Sequence, residues 1–101
     1  MTSVLDPTTA DRRHGLIVIP LGAEVPDGYG VLLELDRSGH TRLAWDPSNE
    51  TETELARAHY QGLREKGYLA TRRTGPREGE TMPEWDATAR EVTMQPGPVG
   101  G

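Results

Sequence analysis

Cysteine is absent from this 101-residue chain. Disulfides, thiolate nucleophiles and cysteine-ligated zinc are therefore excluded. Phenylalanine is absent as well, and the rings are two Trp and three Tyr, so a core has to come mostly from Leu, Val and Ile. No apolar run approaches the ~20 residues that cross a bilayer as a helix. Positive charge is in deficit, with 11 Lys and Arg against 16 Asp and Glu for a net charge of −5. That balance argues against a broad basic footprint for nucleic acid or an anionic membrane. Met1 to Pro7 carries neither a basic nor an apolar segment, so no secretory leader is expected. A cysteine-free acidic chain fits the cytoplasm.

What is present reads as one small α+β domain. Residues 1–14 are polar, contain Pro7 and are expected to form a disordered or partner-docked arm. Leu16-Ile17-Val18-Ile19 is the most β-prone run. It is either a strand buried on both faces or an element that docks elsewhere, and Pro20 ends it. After a loop with Pro26-Asp27-Gly28 turn chemistry, Val31 to Leu35 and Thr41 to Trp45 form a hairpin around Asp36-Arg37-Ser38-Gly39. Leu33, Leu35, Leu43 and Trp45 are expected to face the core together.

A helix follows. Ser48, Asn49 or Thr51 can cap its start, and Thr51 to Glu54 has capping-box spacing. Glu50, Glu52 and Glu54 crowd the first turn and Arg64 and Lys66 the last, matching the helix dipole. Gly67 is a natural left-handed terminator. Leu55, Ala56, His59, Tyr60 and Leu63 fall on one stripe at 100° per residue, the apolar face of an amphipathic helix lying on a sheet. Tyr68 to Arg73 is the next expected strand, Thr74 to Gly79 a loop, and Thr81 to Trp85 a short edge strand carrying Pro83. Arg90 to Gln95 is a last strand with Val92 and Met94 inward. A right-handed crossover through the helix would place the Tyr68 strand beside the hairpin. The domain spans 15–95, and 96–101 form an extended Gly/Pro tail.

Candidate chemistry is sparse. His14, His40 and His59 have no metal-ligand spacing, and His59 on the apolar stripe reads as a packed residue. Arg72-Arg73-Thr74-Gly75-Pro76-Arg77 is a small basic cluster, read as a solvated strand end in preference to a site for an acidic partner or phosphate. No nucleophile and base are set by spacing. No catalytic residue, metal or cofactor is expected, and the chain does not read as an enzyme.

The ending Met94-Gln95-Pro96-Gly97-Pro98-Val99-Gly100-Gly101, after a hairpin, a helix and further strands, resembles the β-grasp carriers: the ubiquitin-like modifiers and the small sulfur carriers. The chain differs in having about 28 residues ahead of Tyr29, a more Pro-rich tail, and no Arg just before the glycines. The resemblance implies a β-grasp-like mixed sheet with one helix across one face. It implies an adenylating enzyme as partner and activation at the Gly101 carboxylate, with Gly100 beside it. Pro96, Gly97, Pro98 and Val99 would form the partner-binding tail. Glycines pass a narrow channel because they lack Cβ, and prolines keep the segment extended and limit the entropy lost on docking. The alternative is a structural or assembly subunit, for example of a phage-type particle, whose arm and tail dock on neighbouring subunits.

Overall fold

The computed structural model describes residues 11–20, 22–36, 39–75, 78–86 and 88–97. In chain order the elements are β1 (Arg12–Arg13), β2 (Leu16–Ile19), β3 (Gly30–Asp36), β4 (Gly39–Trp45), α1 (Glu50–Glu65), β5 (Tyr68–Gly75), β6 (Glu78–Thr81) and β7 (Glu91–Pro96). The strands make one seven-stranded mixed sheet in the order β1-β2-β4-β3-β7-β5-β6. Neighbours are antiparallel except β3 and β7, which run parallel at its centre. The one helix among the described residues packs across one face, an α+β arrangement. No helix among the described residues is long and apolar enough to cross a membrane.

Two cores flank the sheet. The larger lies under α1 and joins Leu16, Leu32, Leu43, Trp45, Ala56, Tyr60, Leu63, Ala70, Met82, Val92 and Met94. The smaller lies on the other face, where Ile17, Ile19 and Ala44 are packed by Ala23, Val25 and Tyr29. β2 feeds alternate side chains into both cores, which explains its unbroken apolar run: it is buried on both faces and joins the main sheet beside β4.

The helix ends as its sequence dictates. Asn49 is the N-cap, its Oδ1 accepting from the Glu52 amide at 3.1 Å. Glu52 Oε1 in turn accepts from the Asp46 amide at 3.1 Å, so the acidic residue that closes the first turn is Glu52 and not Glu54. At the far end Gly67 has φ +94°. Ala56, Tyr60 and Leu63 are the buried stripe. In the last strand Val92 and Met94 point inward as expected.

Four expectations need correction. In β3 it is Leu32 that enters the helix-side core, opposite Leu43; Leu33 and Leu35 lie on the other face and are half-buried. The run Val31-Leu32-Leu33 has no alternation of its own, so its face is chosen by the partner strand. The Tyr68 strand does not sit beside the hairpin: β7 occupies that place, pairing with β3 on one side and β5 on the other. Of the residues expected in the loop 74–79, Thr74 and Gly75 extend β5 across a register shift and Glu78 and Gly79 open β6, and Pro83 follows that strand; Pro76 and Arg77 lie outside the described residues. Finally, the arm expected over 1–14 is ordered at its described end. Arg12 and Arg13 pair with Ile17 and Leu16, leaving His14 and Gly15 as a two-residue turn. Residues 1–10 lie outside the described residues.

Candidate functional site

Three groups of side chains merit attention: the base of the tail, the histidines and the basic cluster.

The tail emerges from a strand held on both sides. Pro96 completes β7 opposite Tyr68, and the next residue is tied to the turn after the helix, the Gly97 amide donating to the Gly67 carbonyl at 3.2 Å. A Cβ on Gly97 would lie 2.5 Å from that carbonyl oxygen, so the contact requires glycine. Pro96 and Gly97, expected as free tail, are thus part of the sheet margin, because the ladder with β5 continues to the end of β7. Leu69 lies beside this margin and is the one large apolar side chain among the described residues that is exposed, at 41%. Pro98, Val99, Gly100 and Gly101 lie outside the described residues. Together those four residues reach at most ~14 Å beyond Gly97, by the length of an extended chain.

Two of the histidines and Glu34 are brought together from three separate elements. His14 occupies the β1–β2 turn with φ +56°, followed by Gly15 at φ +80°; left-handed values at both positions define the turn favoured by two-residue hairpins. This turn sets the His14 ring on that of His59 from α1, with centroids 4.3 Å apart and planes 25° from parallel. His59 Nε2 lies 2.9 Å from Glu34 Oε1 of β3. A carboxylate can only accept, so Nε2 carries the proton. The His59 side chain is 10% and the Glu34 side chain 20% exposed. His59 is the packed residue the helix stripe implied, but it is also hydrogen-bonded to Glu34. His14 titrates below the ordinary imidazole value, first because of burial and then because of His59, against which Glu34 pulls the other way. Leu55, Ala58, Leu63 and Lys66 complete the walls of an open groove around the two rings. His40 stands apart, exposed at the start of β4. Among the described residues no three side chains of metal-ligating type converge.

The basic cluster is occupied by the protein's own carboxylates. Arg72 bridges Glu80, at 2.7 Å, and Asp86. Asp86 also accepts from the Thr88 amide at 2.9 Å and its hydroxyl at 2.6 Å. Those Thr88 bonds first, and Arg72 after them, hold the Asp86 carboxyl below its usual range. Arg73 reaches Glu91 at 3.2 Å. Arg77 lies outside the described residues. A phosphate here would have to displace existing ion pairs, in keeping with the reading of this run as a solvated strand end.

Sequence reasoning placed Pro96 and Gly97 but missed their anchoring, and it missed the His14–His59 contact altogether. The signal for the second was available: a residue followed by Gly between a charged pair and an apolar run is the pattern of a two-residue turn. No family model, no curated protein and no solved structure matches this chain.

Proposed function

We propose that this chain is a β-grasp-type carrier whose Gly101 carboxylate is activated by an adenylating enzyme. The observation that carries the reading is the placement of β7. It is an interior strand of the sheet, parallel to β3, and it leads directly into Gly97. The hairpin β3–β4, the helix, β5, β6 and a last strand returning to the centre provide the element order that a β-grasp requires. Gly97 is tied to the Gly67 carbonyl, and a short segment leaving an anchored residue has little chain entropy to lose on docking. A carboxylate oxygen of Gly101 would attack the α-phosphorus of ATP, with pyrophosphate leaving. A target lysine amine would then displace AMP to give an amide, or a sulfide-level sulfur would displace it to give a thiocarboxylate. In this role the chain is substrate and carrier, and its partner is a protein of the cytoplasm.

The test is incubation of the full chain with ATP and lysate of its own cell, read by intact mass. The expected result is a mass gain confined to the C-terminal residues and lost on deletion of Gly100 and Gly101, with the far-UV spectrum unchanged. No adenylate, thiocarboxylate or conjugate, either in that reaction or on protein recovered from the cell, overturns the reading.

A second reading, an assembly subunit without chemistry of its own, is favoured by one feature. The sheet face away from the helix leaves Leu33 and Leu35 half-buried and Leu69 exposed. Light scattering distinguishes it: assembly requires a species heavier than the monomer, alone or with a co-purifying protein.

A further inference from the structure

β1 is only two residues long, yet it covers the outer edge of β2, the most β-prone strand in the molecule. A short charged strand is a common way to close an edge that would otherwise pair with another chain. Few contacts hold it. Besides the ladder, the Val18 amide donates to the Asp11 carbonyl at 2.8 Å. Arg12 Nη1 donates to the Gly15 carbonyl at 3.0 Å and Arg13 Nη1 to Thr41 Oγ1 at 3.4 Å, both exposed. The contact that ties this hairpin to the helix layer through a ring is His14 on His59.

We infer that the His14–His59–Glu34 stack is an acid-released latch that holds the β1 hairpin against α1. Near neutral pH an uncharged His14 ring lies flat on His59, whose own ring is fixed by Glu34. Protonation of His14 puts a cation 4.3 Å, centroid to centroid, from the His59 ring, whose Nε2 already faces the Glu34 carboxylate. The groups facing His14 set the balance. His59 from α1, Lys66 just past the end of α1 and Arg13 from β1 oppose its charge, and Glu34 from β3 favours it. Burial adds to the opposition and is its largest part, and the one favourable carboxylate is already engaged by His59. Acid therefore loosens the turn, and β1 leaves the edge of β2.

Amide hydrogen exchange at Val18, corrected for the intrinsic pH dependence of the chemistry, reads the latch directly. Opening in the full wild-type chain is expected to rise about fivefold between pH 7 and pH 5, the factor that water-screened repulsion between two unit charges at this spacing supplies. His14→Gln and His14→Lys bear the same left-handed backbone cost and separate charge from shape. His14→Gln should show one opening rate at both pH values, and His14→Lys should be open already at pH 7. Unchanged protection of Val18 in the wild type across this range overturns the latch. So does a His14→Gln chain that keeps the full acid response.

Discussion

Gly30 lies directly opposite Trp45 across the β3–β4 ladder, and the indole occupies the space where a side chain on residue 30 would be. The largest ring of the core is accommodated by the one residue type that has no Cβ. Trp45 in turn meets Trp85 at a centroid distance of 5.5 Å, and Trp85 meets Tyr60 at the same distance. Gly30→Ala is therefore expected to cost about 1–3 kcal/mol, the range for overpacking a filled core. The check is the urea midpoint followed by tryptophan fluorescence, which should fall with little change in slope.

Tyr60 carries its hydroxyl into that same core and donates it to the Met82 carbonyl at 2.5 Å. Burial pushes the phenol above its usual value. Tyr60→Phe keeps the ring and strands the carbonyl, so a loss of about 1–2 kcal/mol is expected, the cost of an unsatisfied buried acceptor. Thermal unfolding measures it. The residual 82–86 segment should also exchange faster, since this bond ties it to the helix.

Acid should weaken the fold through Asp86 in a definable window. Its folded value lies below the ordinary carboxylate value because Thr88 and then Arg72 stabilise the carboxylate. A depressed carboxyl contributes stability that is present above the unfolded value and lost as pH falls through the folded one. The wild type is thus expected to lose stability below about pH 4 more steeply than Asp86→Asn, which begins less stable at pH 7. Parallel stability curves for the two chains across that window would contradict the assignment.

Gly97→Ala tests the base of the tail. The added methyl meets the Gly67 carbonyl, which breaks the Gly97–Gly67 bond and frees the end of β7 from the helix turn. The expected loss is about 1 kcal/mol, one backbone hydrogen bond, with the far-UV spectrum unchanged. On the carrier reading, activation at Gly101 should fall although the glycine pair is intact. Equal activation of the two chains would show that the clasp does not position the tail.

Local pattern was enough to fix the β3–β4 hairpin, the helix with its terminator at Gly67, and the inward pair Val92 and Met94, while the choice of Asn49 over Ser48 and Thr51 as cap came from the structure. Each of these depends on neighbours within a few positions. Leu16 to Ile19 was legible as an apolar run with no polar face, but the choice between a doubly buried strand of the sheet and an element docked elsewhere was left to the structure. Only the tertiary structure decided that Leu32 and not Leu33 faces the helix, that β7 enters between β3 and β5, that Arg12 and Arg13 close an edge, and that His14 meets His59. Those outcomes depend on which distant strand supplies the matching ladder. A period-two pattern records which side chains alternate, but not the strand they will be paired with.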